Sequence, residues 1–454
     1  MELKQYYHTL DIYKKGFWLN LILIFIEGAM RKWLMPEWSY GWMVCREPIV
    51  IATVLAFMNT RYLDSWIAKA FMTIGAITFI TTLLFGHHNL IVAIYGLRIW
   101  FFHIPYIFIM AEKLNRTDMI KICQFLIIVF FPMTVLYIAQ WASPPNTWIN
   151  AQNGGIIARE AVDVNGAVRP NGTFGHVVGA SYYNSIVVCL FVATLFSNYY
   201  RKYLVPHKVV YLLFSITVIT MLVVSVSRGT IVQACVTATL VALLLCFTGR
   251  SKYLVRLLIG GVFVFFIFQT LSNVSISGKN LLDPVITRFE SAARAEGGAS
   301  GIFESRVLEP YRFWNDKGVM LTPPIFGYGI GAGSNFGTQT LNIVNLHAKD
   351  SLAWGLGEWS SQIVTNEMGF LFGTLVYLLR IGFPIYLFFI SMKKLFRNND
   401  ILPLSLWTLS ITFFGNGNIN LVMSLGWIVI LMILLLVSLR TSKKVIEHKD
   451  AIWS

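Results

Sequence analysis

The chain has 454 residues, 56% of them hydrophobic and only 13% charged, with a formal net charge of +14. That composition excludes a water-soluble globule of this size and predicts an all-α polytopic membrane protein. The surplus of Lys and Arg falls in alternate connections between apolar runs, so it reads as topological and does not call for a nucleic-acid partner.

Taking about 20 apolar residues per crossing, the chain offers about twelve segments. They lie near 17–35, 42–59, 66–86, 90–111, 118–142, 178–199, 208–226, 229–248, 253–271, 366–392, 401–416 and 420–440. The first residues, with Lys4, Lys14 and Lys15, are too polar to open a secretory signal, and no small-residue cleavage site follows the first run. The N-terminus is therefore expected to stay as a signal anchor. One set of connections carries Arg61; Lys113, Arg116 and Lys121; Arg201, Lys202 and Lys208; Arg250, Lys252 and Arg256; Lys393, Lys394 and Arg397; and the tail from Arg440 to Lys449. The positive-inside rule makes that set cytoplasmic, with both termini. The outer set holds Gly86-His87-His88, a loop at 143–178, Ser227-Arg228, a large polar loop, and Asn416-Gly417-Asn418. The expected architecture is a twelve-helix bundle: 1–271 with nine helices, 272–365 as a large outer loop of short helices, and 366–454 with three helices and a cytoplasmic tail. All five cysteines fall in or beside apolar runs and read as core thiols. No CxxC or HExxH spacing occurs, so neither a metal nor a cofactor is expected.

Charges at membrane depth usually face a partner or an aqueous cavity. Glu27, Arg31 and Lys32 lie at the outer end of the first segment, followed by Arg46 and Glu47 in the second. They read either as two internal ion pairs, Glu27 with Arg31 and Arg46 with Glu47, or as an outward basic rim for anionic lipid or substrate. Arg98, with His103 five residues later, and Arg380 could satisfy their donors on backbone carbonyls. Arg228, in VVSVSRGTIV, stands at a tight outer turn where topology does not require it. A guanidinium there could fork onto phosphate oxygens while Gly229 keeps the backbone close.

The stretch from Ser272 to Asn366 reads as soluble protein between apolar runs, with seven Lys or Arg and eight Asp or Glu. It carries Glu304-Ser305-Arg306, Arg312 followed by Phe313-Trp314, glycines at 327, 329, 331 and 333, His347, and Glu358 between Trp354 and Trp359. Arg312 has Asp316 at helical spacing. Trp359, beside a carboxylate, could stack a ligand ring or belong to an interfacial belt. Glu367, opening the next apolar segment, is also where the helix macrodipole alone favours a carboxylate. The glycines suggest a phosphate cradle, but no strand precedes them and no regular helix is expected after them. A close backbone approach to a ligand and a flexible connection both remain open.

Several of these elements, taken in order, resemble the O-antigen ligase and O-antigen polymerase superfamily. Ser227-Arg228-Gly229, with Val232 a turn later, is similar to its Ser-Arg-small element. Arg169-Pro170-Asn171-Gly172-Thr173-Phe174-Gly175 looks like its Arg-x-x-Gly-Thr-Phe-Gly segment. Ser305-Arg306, Arg312-Phe313-Trp314 and Gly327-Tyr328-Gly329-Ile330-Gly331 resemble its Ser-Arg, aromatic and glycine run. Glu358-Trp359 through Glu367-Met368-Gly369 is similar to its last element, with Glu358 where the ligases carry His, which favours the polymerase branch.

The resemblance implies metal-free glycosyl transfer from a polyprenyl-diphosphate-linked glycan to a glycan or lipid acceptor. The setting it implies is the outer face of a bacterial inner membrane, among membrane lipids and with a possible chain-length regulator. Such chemistry needs cations on the diphosphate leaving group, here Arg228 and Arg306, and a base for the acceptor hydroxyl, here Glu358 with His347 second. Arg169, Arg312, Arg98, Arg31, Trp359 and Glu367 would contact substrate. The rival readings are a twelve-helix secondary carrier, which should show similar halves and midplane charges, and a membrane scaffold.

Overall fold

The computed structural model describes residues 2–155, 168–248, 325–341 and 360–441, with a few positions between 255 and 290. Most of this is helix, because a helix satisfies its backbone groups within the segment, as a bilayer requires. In chain order the helices are α1 Glu2–Ala29, α2 Pro36–Phe57, α3 Trp66–Phe85, α4 Leu90–Lys113, α5 Arg116–Ala142, α6 Val177–Phe196 and α7 Asn198–Leu204. They continue with α8 Lys208–Val224, α9 Arg228–Cys246, α10 Asn335–Thr340, α11 Ser360–Asn398, α12 Leu402–Gly415 and α13 Val422–Arg440.

Among the described residues, eight helices are long and apolar enough to cross a membrane, or nine if α7 and α8, bent by 99°, form one span. The chain is thus a multi-pass helical membrane protein. The expected count of twelve is not reached, for identifiable reasons. Helix α1 is long enough at 28 residues but carries Lys14, Lys15 and Glu27. Helix α8 has 17 residues alone, α12 is one of the shorter apolar helices, and most of 253–271 lies outside the described residues. In the expected large loop the described residues hold one short helix, the six-residue α10, and a small hairpin in which Ser275–Ile276 (β1) pairs antiparallel with Lys279–Asn280 (β2); most of 272–365 lies outside the described residues.

Helix α13 is the central post. Its spanning window is 94% buried, as befits a helix apolar on every side, and α4, α6 and α12 pack around it. Phe174, from the loop before α6, enters this core. Its ring lies 5.7 Å from both Tyr183 and Trp427, while Phe25 of α1 lies 5.3 Å from Trp427. In a bilayer such contacts stabilise through van der Waals packing, since lipid tails are as apolar as the partner helix. Of the cysteines, Cys123 and Cys189 are core thiols as expected, whereas Cys235 is exposed on the outside of the bundle.

The two ends of the bundle differ. At one, Arg116 donates to Asp400 at 3.0 Å, Tyr200 joins both, and Arg440 donates to the Ala111 carbonyl at 3.1 Å. Helix α5 starts there with a capping box of Asn115 and Asp118. At the other end the helices are irregular. π-Helical segments occupy Met30–Leu34, Ile99–His103 and Ile411–Gly415, and α11 breaks at Gly369, whose φ is 83°. Such irregularities free backbone groups and recur at functional sites. This second end is the loop end.

Candidate functional site

The site grows from the last turn of α1. Glu27 accepts from Arg31 Nη1 at 3.2 Å, the expected pairing one helical turn away. Arg46 does not pair with its neighbour Glu47; its Nε donates to Glu27 at 3.0 Å and its Nη2 to the Val422 carbonyl at 3.0 Å. Adjacent residues on a helix point apart, and this divergence sends Arg46 toward α1 and α13. Arg31 also reaches Ser39 Oγ at 3.1 Å. Arg31 and Arg46 are therefore buried pillars around one carboxylate.

Lys32 is buried too, but on neutral acceptors. Its ammonium donates to Asn171 Oδ1 at 2.6 Å and to the Gly172 carbonyl at 2.7 Å, and lies 4.2 Å from the Trp33 ring. Gln140 accepts from the Asn171 and Gly172 amides at 3.1 and 2.8 Å. A β-carbon at Gly28 would fall 2.3 Å from the Thr173 carbonyl, so α1 lies directly against the 173–175 backbone. The Arg169–His176 segment is thereby fixed to the loop end, with Arg169 half-buried on it.

Glu47 turns instead to α4, where it meets Arg98 and His103, the latter at 2.9 Å. The π turn between these two residues presents both to the same carboxylate. Arg98 also lies 4.0 Å from the Tyr95 ring, and Tyr95 meets Phe336 of α10 at 5.1 Å.

The glycine loop is a packed element, contrary to a flexible connection, and the short helix α10 follows it. Tyr328 and Gly329 amides donate to the Asn366 and Glu367 carbonyls at 2.8 and 2.9 Å. The Ile330 amide donates to Thr82 Oγ1 at 3.0 Å, and the Ile330 carbonyl meets His87 Nε2 at 3.1 Å. The approach at Gly369 requires glycine on both grounds: φ is 83°, and a β-carbon would fall 2.1 Å from the Ile325 carbonyl. Partial burial pushes the His87 imidazole below its ordinary pKa and the Tyr328 phenol above its own.

Glu367 is fully enclosed by this loop. Its Oε1 accepts from the Gly333 amide at 2.6 Å and from Asn420 Nδ2 at 3.1 Å. It stands seven residues inside α11, just before the Gly369 break at which the second, apolar part of that helix begins. Asn420 belongs to the turn between α12 and α13. That turn is held from below by Arg380, whose Nε, Nη1 and Nη2 donate to the Phe414 carbonyl, Ser360 Oγ and the Gly417 carbonyl at 2.8, 2.7 and 2.7 Å. Arg380 thus meets backbone carbonyls, as its sequence setting allowed.

Arg228 opens α9 and is half-buried. Beside it, Ser227 Oγ lies 3.1 Å from Ser181 Oγ of α6 and accepts from Thr230 at 3.0 Å. A β-carbon at Gly229 would have nothing within 4 Å, so the backbone after Arg228 borders open space. Below, Gln233 donates to Thr237 and Thr408 at 3.0 and 3.1 Å, a polar track between α9 and α12.

Of the sequence-predicted site residues, the structure brings Arg228, Arg169, Arg31, Arg98 and Glu367 to the loop end. Glu358, Arg306, His347, Arg312 and Trp359 lie outside the described residues. Sequence reasoning missed Asn366 and Asn420, polar residues near segment ends that carried no other signal. Comparison with protein-family models, curated proteins and solved structures gave no match.

Proposed function

We propose that this protein is a membrane glycosyltransferase of the O-antigen polymerase or ligase kind. It moves glycan from polyprenyl diphosphate to an acceptor sugar at the outer face of a bacterial inner membrane. The observation that supports this reading best is a convergence: the Ser227–Gly229 element touches α6 through Ser181, and the Arg169–His176 segment leads directly into α6. The Gly327–Gly333 loop and Glu367 join the same end through Asn420.

In this reading Arg228 and Arg306 neutralise the diphosphate as the anomeric C–O bond breaks. The acceptor hydroxyl attacks the anomeric carbon and its proton passes to the Glu358 carboxylate. A single displacement inverts the anomeric configuration. The test is glycan elongation in membranes given polyprenyl-diphosphate-linked oligosaccharide and EDTA. Wild type should make longer products, and Arg306→Ala and Glu358→Gln at equal expression should not. Full activity in both variants would remove the assigned roles.

A second reading, a secondary carrier, draws on one observation. Glu47, Arg98 and His103 form a buried titratable cluster inside two spans, next to a π-helical break, and carriers place coupling groups in broken helices. Proton uptake into proteoliposomes on adding a free oligosaccharide, without any elongation, would favour the carrier.

A further inference from the structure

We infer that a groove on the outside of the bundle is a binding site for one acyl chain of an anionic phospholipid, with the lipid phosphate at Lys69. The groove has a volume of about 460 Å³ and runs between the turn after α2, one face of α3 and the π turn of α4. Its lining includes Leu63, Lys69, Met72, Ala76, Ile80 and Phe101. Positions 69, 72, 76 and 80 recur at helical spacing and so form one stripe along α3. A β-carbon at Gly75 would fall 2.8 Å from Trp100 Cβ, so α3 and the π turn touch there. Next to that contact, Ala76 offers only a methyl group and leaves the space beside it unfilled. Ile77 and Ile80, on the same wall, are 39% and 56% exposed, so among the described residues the groove opens sideways, where a spanning helix meets lipid.

The charges and the length say which lipid fits. Helix α3 ends at the loop end, where Phe85 stacks on Phe326, so Lys69 in its first turns lies at the opposite end of the bundle. The rise from Lys69 to Ile80 is about 16 Å, close to the ~15 Å hydrocarbon depth of one leaflet. A chain lying along the groove therefore belongs to the leaflet whose head groups reach Lys69. The rim there is positive. Lys69 and Arg61 are exposed, and the Lys113 ammonium lies 3.4 Å from the ring of Tyr62, beside Leu63. The acidic groups facing them are Asp64, which meets Lys69 at 2.6 Å, and Glu112, which meets Arg440 at 3.8 Å. Both pairs are exposed and contribute little, so a lipid phosphate can take the place of Asp64 on Lys69. Lipid tails are as apolar as the groove, so the chain gains packing alone and the choice of lipid falls to the head group. A helix of a second copy suits the groove less well. About 10 Å across, it displaces roughly 1,200 Å³ over the same length and brings no phosphate to the rim.

The experiment uses the full chain, stripped of lipid in detergent and given equal amounts of phosphatidylglycerol and phosphatidylcholine with the same acyl chains. Bound lipid is counted by native mass spectrometry. Wild type should retain phosphatidylglycerol in preference to phosphatidylcholine. In Lys69→Gln that preference should fall about fivefold, the factor for one interfacial cation, and Lys69→Arg should keep it. Ala76→Trp, which fills the groove, should lose the retained lipid whatever its head group. An unchanged melting temperature in lipid-free detergent will show that each variant folds. No preference in wild type, or the same retained lipid in folded Lys69→Gln and Ala76→Trp, would overturn the inference. A dimer that retains no lipid and dissociates in Ala76→Trp would also overturn it, by giving the groove to a second copy.

Discussion

Both ends of the bundle hold buried ion pairs, at the loop end Glu27 with Arg31 and Arg46, but they differ in how their other buried cations are held. At the closed end, Arg116 meets Asp400 directly, with Tyr200 beside both, and Lys14 meets Asp118 at 2.6 Å. Lys113 there lies over the Tyr62 ring at 3.4 Å. At the loop end, Lys32 and Arg380 are held by carbonyls, an amide and a hydroxyl, with no carboxylate in ion-pair range among the described residues. A charge matched by its counter-ion is a fastener; one held by neutral dipoles leaves a positive field for something else to use. Helix regularity follows the same division, since the Gly369 break lies beside the loop end's buried carboxylate and the closed end starts α5 with a capping box.

The sharpest way to break this contrast is at Asp400. Asp400→Ala leaves Arg116 buried without its partner and should cost about 3–5 kcal/mol of stability, read as a fall in melting temperature in detergent. If the melting temperature is unchanged, the closed end is not the fastener described. Arg228→Ala should behave in the opposite manner. It is half-buried at the start of α9 and its role in this account is chemical, so elongation should fall about 100-fold, the scale for losing one preorganised charge-stabilising donor.

Gly369→Ala tests the docking of the glycine loop. The positive φ and the Ile325 carbonyl both oppose a β-carbon, and a loss of about 1–3 kcal/mol is expected, with increased proteolysis between 325 and 341. Wild-type protection in that variant would show that the loop does not depend on the break. The smallest effect concerns pH. Burial favours the neutral His87 imidazole in the folded protein, so the unfolded chain takes up the proton first as pH falls. The His87 contribution is fully present above the ordinary value of 6.5 and declines below it, until the folded pKa is passed. His87→Gln should flatten that part of a melting-temperature profile between pH 8 and 5.5; a profile identical to wild type would remove His87 from the docking account.

The sequence carried some of this and not the rest, for local reasons. The Glu27–Arg31 pair was legible because both partners lie on one helix, four residues apart. The partners of Arg46 and Glu47 were not, since they are chosen by packing between α1, α2 and α4, which spacing along one chain does not encode. Apolar runs located the spans well, as at Trp66–Phe85 against an expected 66–86, yet named more than the described residues bear out, since a run such as that of α12 is shorter as a helix than a full crossing. Gly369 was visible as a glycine, but its positive φ became apparent only with the Ile325 carbonyl against it. Arg228 stood out because a cation at a tight turn of the outer set contradicted the charge rule. The buried asparagines did not, since polar residues at segment ends are ordinary.

The most direct measurement compares elongation by Arg228→Ala and Asp400→Asn at equal amounts of folded protein in nanodiscs, with polyprenyl-diphosphate-linked oligosaccharide as donor. The account predicts that Asp400→Asn, once folded, elongates within a few-fold of wild type, while Arg228→Ala loses about two orders of magnitude. Equal losses in the two variants, or full activity in Arg228→Ala, would contradict the placement of the chemistry at the loop end.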